Sequence, residues 1–279
     1  MNQSEEPKIV LCDLDGVVWL AHEPLPGAVE AVARLRRAGI RVIFVTNNSF
    51  STMEQQLAAL SKIGIDAKGD VVTSAMSAAY TMKSGERALV CGGAGIVEAL
   101  TQRGVEVLVA HELVNGYQPQ STLSPEFKFD AVVVGLYREF SYDVLSLAQR
   151  VVHGGARLIG TNEDPVYPTS FGVTPGGGSI LAAVATASGV APDVTGKPHS
   201  TMASMVKEMA APIAPSQMLM VGDRFGSDGE FARTLNCRFA LVRSEATGVE
   251  SANYNSDGLL MFGEFPSLAG AVDQILEKS

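Results

Sequence analysis

A chain of 279 residues with 46% hydrophobic and 18% charged residues can bury a sizeable core, which excludes a disordered chain. The formal net charge is −9 and the Lys and Arg residues are scattered, so nucleic acid is disfavoured as the main partner; backbone phosphates call for clustered cations. An anionic small molecule is not disfavoured, because one local cation overrides the net field.

In chain order, the first apolar run is residues 9–12 (IVLC), which stops at Asp13. A helix is expected over 27–38, apolar at 28, 29, 32, 35 and 38, with Pro26 suiting its start and Gly39 its stop. Residues 41–45 (RVIFV) run into Thr46, Asn47 and Asn48. A second helix follows over 52–63, with Ser51 and Glu54 spaced as a capping box and Gly64 closing it. Residues 87–91 (RALVC), 130–135 (DAVVVG) and 157–161 (RLIGT) read as further strands, with helices near 94–103 and over 141–152. The segment TPGGGS at 174–179 reads either as a hinge or as the start of a helix over 180–188. Lys197 lies in GKP, with Pro198 opening a helix; residues 217–221 (QMLMV) then run into Gly222 and Asp223, and 238–242 (RFALV) form a late strand.

Short, continuous, β-branched-rich runs suit strands buried on both faces of a parallel sheet. Their alternation with helices predicts an α/β fold with a doubly wound, Rossmann-like parallel sheet. A right-handed crossover does not need roughly 100 residues. Residues 82–190 are therefore read as a second α/β domain, inserted into a core made of residues 1–81 and 191–279.

The opening MNQSEEPK lacks the basic-then-apolar pattern of a secretory signal, and no apolar run reaches the length of about 18 residues that suggests a membrane span. Three widely spaced cysteines, Cys12, Cys91 and Cys237, do not form a disulfide framework and fit a reducing cytoplasm. The four histidines show no metal-ligand spacing, so a zinc site is not expected. CGGAG at 91–95 lacks the full dinucleotide-binding pattern, and no Walker-A spacing is present.

The chemistry gathers where strands end. In open parallel sheets ligands bind outside the carboxyl ends of the strands. The first strand presents Asp13 and Asp15 in DLDG, two residues apart and so on one side of an extended segment. Two carboxylates that close repel each other unless a cation intervenes. A later strand adds Asp223, and the loop after it adds Asp228. One aspartate at such a place commonly serves a turn or a helix cap. Four at one sheet edge call for a hard cation with oxygen ligands, and Mg²⁺ is the natural choice. Thr46, Asn47 and Asn48 offer hydroxyl, amide and backbone donors at the same edge, suited to phosphate oxygens, and Lys197 can add a positive charge beside Asp13. Gly16 both turns the chain and allows close backbone approach. Trp19, the one tryptophan, is expected in core or interface packing.

DLDGVVW at 13–19, VTNNS at 45–49, Lys197 in TGKP and VGDRFGSD at 221–228 resemble, in order, the four motifs of the haloacid dehalogenase superfamily. VVVGLYREFSY at 132–142, GTNEDPVYP at 160–168 and the PGGGS stretch resemble its p-nitrophenylphosphatase-like, NagD-like branch, in which a large α/β cap lies between motifs two and three. The resemblance implies a Mg²⁺-dependent phosphatase with Asp13 as nucleophile, Asp15 as general acid and then base, and an aspartyl-phosphate intermediate. It implies Mg²⁺ between Asp13, the backbone carbonyl of Asp15 and Asp223, with Asp228 holding a metal-bound water or Lys197. It implies phosphate contacts from Thr46, Asn47 and Lys197, a small phosphorylated metabolite as substrate, and a cap that often mediates dimers. Arg138 and Tyr167 are expected to reach the leaving group from the cap. A phospho-aspartate receiver domain shares the clustered Asp, Thr and Lys, but the DxD spacing and the insertion argue against it. Dehalogenase, phosphonatase and phosphotransferase activities remain alternatives within the superfamily, and an acid at Asp15 favours phosphoester cleavage.

Overall fold

A computed structural model describes residues 6–114, 128–169, 172–243 and 258–277. The strands, in chain order, are β1 (Ile9–Cys12), the short pair β2 (Trp19–Leu20) and β3 (Glu23–Pro24), β4 (Arg41–Thr46), β5 (Val71–Thr73), β6 (Arg87–Cys91), β7 (Glu106–Val109), β8 (Ala131–Val134), β9 (Arg157–Gly160), β10 (Val166–Thr169), β11 (Gly172–Pro175), β12 (Asp193–Val194), β13 (Met218–Gly222), β14 (Arg238–Val242) and β15 (Met261–Phe265).

Six of them form a parallel sheet in the order β15-β14-β13-β1-β4-β5. The chain starts in the middle, winds out to β5, and returns to the other flank through β13. The strand order reverses at β1, which makes the carboxyl end of β1 the crevice of the sheet. The register fixes what meets there: Cys12 pairs with Phe44 on one side and Val221 on the other, so Asp13 emerges level with the ends of both neighbours.

Side chains on successive strand residues go to opposite layers. Val10, Val42, Phe44, Leu219 and Val221 pack in one layer with the helices Ala28–Arg37 and Leu268–Glu277. Ile9, Leu11, Ile43, Val45, Met218 and Met220 pack in the other with Ser200–Ala210 and Glu230–Leu235. Strands buried on both faces need apolar residues at every position, which is why these runs do not alternate.

A second parallel sheet takes β12-β9-β8-β6-β7, with helices Tyr142–His153 and Gly177–Ser188 on one face and Ser74–Tyr80 and Ala94–Gln102 on the other. Its strands run past residue 190, because β12 pairs with β9. β10 and β11 form a separate antiparallel hairpin. The three cysteines are buried free thiols. Among the described residues no helix is long and apolar enough to cross a membrane.

Several local expectations shift by a residue or more. The capping box of helix Met53–Lys62 uses Thr52 and Gln55 rather than Ser51 and Glu54. The glycines at 177–178 are the first turn of helix Gly177–Ser188, not a hinge. The helix after Lys197 begins at Ser200 with His199 as its N-cap, two residues beyond Pro198.

Candidate active site

Asp13 follows β1, and its N–H is tied to Val221 O at 2.9 Å, so its backbone is an extension of the sheet. The Lys197 ammonium lies between two carboxylates, 2.8 Å from Asp13 Oδ1 and 2.6 Å from Asp228 Oδ1, and is itself buried. Asp228 sits on a wide helical turn, Phe225–Gly229. Its second oxygen accepts the N–H groups of Asp223 and Arg224 at 3.2 and 3.1 Å. Both its oxygens are thus engaged, one by Lys197 and one by the backbone that carries Asp223.

Asp223 is the opposite case. Its two carboxylate oxygens are buried and have no hydrogen-bond partner. Burying an unpartnered carboxylate costs several kcal/mol, on the order of 1–3 or more. Ligand oxygens of Asp13, Asp223 and Asp228 lie within 4.8 Å of one another. An orphaned carboxylate beside two more, with a single lysine to balance them, fits a hard divalent cation. The Asp15 carboxylate lies outside this cluster: its Oδ1 accepts the Trp19 indole N–H at 3.2 Å.

The electrostatics follow from burial. Burial pushes the Asp13 carboxyl up to about 7; Lys197 opposes the rise, and Asp228 and Asp15 add to it. Asp223 is pushed well above the carboxylate range, first by burial and then by Asp13 and Asp228. Asp15 is raised by burial, against His22 and the indole bond. Burial works against the charge on Lys197, but Asp13 and Asp228 outweigh it and hold the ammonium protonated.

These shifts have a sign. Folded Asp13 and Asp223 bind protons more tightly than in the unfolded chain, so the metal-free protein loses stability as pH rises from about 4, the unfolded carboxylate value, through 7. Thermal unfolding in EDTA should give a lower Tm at pH 8 than at pH 6. Mg²⁺ should raise Tm more at pH 8, where its ligands are ionised.

Gly16 shows how tight the cluster is. It has φ +84°, and a Cβ there would fall 2.0 Å from Asp223 Oδ2. Gly16→Ala therefore strains the backbone and displaces Asp223 together. Added Mg²⁺ should then raise the Tm of the variant less than it raises that of the wild type, and a higher Mg²⁺ concentration should be needed for half of the shift.

Thr46, Asn47 and Asn48 all line the edge of the cavity, and much of their hydrogen-bonding capacity is engaged within the protein. Asn47 Oδ1 accepts Lys197 N–H at 2.8 Å, while its Nδ2 donates to Lys197 O at 3.1 Å and to Asp164 Oδ2 at 3.0 Å. Asn48 Oδ1 accepts the N–H groups of Phe50 and Ser51, and Asn48 N–H donates to Thr46 Oγ1 at 3.0 Å. The Asn47 amide and the Asn48 oxygen are spent on building the edge, which leaves the Thr46 hydroxyl hydrogen, the Asn48 Nδ2 group and backbone donors to face a ligand.

A cavity of about 70 Å³ opens over Asp13, Asp15, Thr46, Lys197 and Asp223. Its far wall comes from the second sheet and its hairpin: Leu136, Asn162, Asp164, Val166 and Tyr167. Tyr167 thus reaches the cavity as expected. Arg138 does not line it; it is exposed, with its guanidinium over the Phe50 ring at 5.2 Å, and Phe50 lines the rim. Asn162, Asp164, Arg224 and Ser227 also line the cavity and were not singled out from the sequence. Asp164 lies 3.9 Å from Arg224, and Asn162 donates to Asn47 O at 2.9 Å, so this loop is fastened to the core edge.

A doubly wound sheet with a lysine-paired aspartate and an orphaned carboxylate at its switch point is the arrangement of a metal-assisted, aspartate-centred site in the α/β class. Comparison with known proteins agrees. A sequence profile of haloacid dehalogenase-like hydrolases matches residues 10–106, and a HAD-hydrolase-like profile matches residues 194–260. The chain is 35% identical over 254 residues to the D-glycerol 3-phosphate phosphatase of Mycobacterium tuberculosis, covering 89% of this chain and 65% of that protein's length. It is 34% identical over 225 residues to the acid sugar phosphatase of Staphylococcus saprophyticus, covering 79% of this chain and 80% of the relative. The crystal structure of the glycerol phosphate phosphatase from Mycobacterium tuberculosis in complex with magnesium superimposes with a TM-score of 0.73 at 32% identity, over 86% of this chain and 68% of that one. The chain belongs to the haloacid dehalogenase-like hydrolase family.

Proposed function

We propose that this protein is a cytoplasmic Mg²⁺-dependent phosphatase that hydrolyses small phosphomonoesters, polyol and sugar phosphates foremost, through a phosphorylated Asp13. The observation that carries the reading is the pairing of Asp13 with Lys197 beside Asp223, whose two buried oxygens have no partner.

In the first step an Asp13 carboxylate oxygen attacks phosphorus, forming the O–P bond as the bond to the leaving oxygen breaks. Asp15 gives its proton to that oxygen, which departs as an alcohol. In the second step Asp15 takes a proton from water, the water oxygen attacks phosphorus, and phosphate leaves with Asp13 restored. Lys197 balances negative charge on the phosphoryl group in both steps, and the Thr46 hydroxyl donates to it. Mg²⁺, held by Asp13, Asp223 and the Asp15 carbonyl, would neutralise phosphoryl oxygens that the single lysine does not reach.

Residues 82–190 act as a cap that limits the substrate. The cavity is enclosed from one side by Leu136, Asn162, Asp164, Val166 and Tyr167, which favours a small ester. Asp164, Arg224 and Ser227 offer polar partners to hydroxyls, and Leu20, Phe50, Val166 and Tyr167 close round the carbon skeleton. The relatives named for glycerol phosphate and acid sugars support the same class. The test is phosphate release from a panel of polyol, sugar, nucleotide and aryl phosphates with Mg²⁺ and with excess EDTA. Turnover should be greatest among the small polyol and sugar esters and should vanish in EDTA. Equal turnover with EDTA would remove the metal from the mechanism, and no release from any ester would remove the phosphatase.

A further inference from the structure

The side chain that holds Asp15 in place is Trp19. Asp15 leaves the end of β1 and the chain turns at once through Gly16, whose N–H donates to Trp19 O at 2.8 Å. That turn places the two residues in an isolated bridge, Asp15 opposite Trp19. The indole is buried, 1% exposed, and its Nε1–H donates to Asp15 Oδ1 at 3.2 Å. His22 packs edge-on against the indole with ring centroids 4.9 Å apart, from a left-handed backbone at φ 67°. The ring thus sits between the apolar layer beneath the sheet and the hairpin of β2 and β3. A buried indole has one donor and no acceptor. It can hold a carboxyl oxygen only as an acceptor.

We propose that Trp19 is a positioning residue for proton delivery by Asp15: it claims Oδ1 as the acceptor oxygen, so that the acid proton resides on Oδ2 and is directed at the leaving oxygen. The inference rests on the phosphatase reading, in which Asp15 is the acid. The proton balance is simple. Oδ2–H breaks as the P–O bond to the leaving group breaks, the leaving oxygen gains the proton, and the electron pair stays on Oδ2. Without the indole donor the carboxyl group is free to rotate and to place its proton on either oxygen. Only part of that population is aligned at the moment of bond cleavage.

Leaving groups then separate this role from packing. Trp19→Phe keeps a large buried aromatic ring and removes the N–H. The readout is kcat/KM, which reports the leaving-group step and not the later attack of water, in which Asp15 also takes part. For an alkyl ester such as glycerol phosphate, whose alkoxide needs a proton, kcat/KM should fall about tenfold or more, the loss expected when one aligned hydrogen bond is removed. For p-nitrophenyl phosphate, whose nitrophenolate leaves with little help, kcat/KM should stay within about threefold. Inhibition by inorganic phosphate should be unchanged. Equal losses on both esters would show a packing role and overturn the proposal, as would an unchanged alkyl rate.

A second readout needs no turnover. Because the chain has one tryptophan, the ¹⁵N-labelled protein gives a single indole N–H resonance. Asp15→Ala should move that resonance upfield and speed its exchange with solvent; a resonance that stays put would show that the contact does not exist. If the wild type releases no phosphate from either ester the phosphatase reading fails on its own, and the indole resonance still decides the contact.

Discussion

Asp13→Asn is expected to lower kcat by more than about 10³-fold on every ester, the scale seen when a nucleophile is removed. The change keeps the shape of the side chain, and the amide oxygen still accepts from Lys197 at the 2.8 Å position of Oδ1. What it removes is the negative oxygen that attacks phosphorus. The fold should gain rather than lose, because a buried carboxyl that burial pushes up to about 7 is replaced by a neutral group. In EDTA at pH 8 the variant should therefore unfold at a higher temperature than the wild type. Acid-quenching the wild type during turnover of ³²P-labelled substrate should leave label on the protein, and the variant should carry none. Label retained by Asp13→Asn would move the nucleophile elsewhere.

Lys197→Met has the second large effect, and it strikes stability and chemistry together. The ammonium is 2% exposed and is the cation between Asp13 and Asp228, at 2.8 and 2.6 Å. Removing it leaves buried carboxylates uncompensated, which costs about 3–5 kcal/mol when one partner of a buried pair is deleted. kcat should fall about 10²-fold or more, as when one charge-stabilising donor is lost. The double variant Lys197→Met with Asp228→Asn separates the two effects. It deletes one orphaned charge, while the Asn oxygen still accepts the N–H groups of Asp223 and Arg224. Urea unfolding should show part of the lost stability restored, with phosphate release still at the level of the single variant. Recovery of activity in the double variant would show that Lys197 serves only to balance Asp228.

The division between what was legible in the sequence and what was not follows sheet geometry. Asp13, Thr46 and Asp223 follow or end continuous apolar runs, and a run that stops in a polar residue marks both a buried strand and its functional end. Asp164 also lies beyond such a run, past β9, but that strand belongs to the other sheet. No spacing in the sequence says that the loop after β9 comes within 3.0 Å of Asn47. Asn47 lines the cavity as well, and its amide is engaged within the protein. An Asn at a strand tip signals polar donors, but which groups it binds depends on Lys197 and Asp164, 150 and 117 residues further on. Arg138 shows the same limit: its loop was placed near the site, and its guanidinium rests on Phe50 rather than in the cavity. Strands were missed where burial is incomplete or the run is short. β15 carries Gly263 and Glu264 on a partly exposed flank, and β5 has only three residues. The Ser51–Glu54 capping box failed because Thr52 and Gln55 satisfy the same spacing one residue later, and three-dimensional context chooses between them.

The winding of the first sheet also sets an order of assembly on the ribosome. β1 is made first but lies in the middle: its neighbour on one side, β4, is made soon after, and its neighbour on the other, β13, some two hundred residues later. Until Met218–Gly222 emerges, Ile9–Cys12 remains an apolar strand with an open edge, the kind of surface that recruits other chains. The nucleophile shares that wait, because Asp13 has its N–H acceptor and its metal-binding neighbours only after the same strand docks. A nascent chain interrupted before residue 218 would therefore hold both its sticky edge and its inert aspartate exposed, and the step that closes one completes the other.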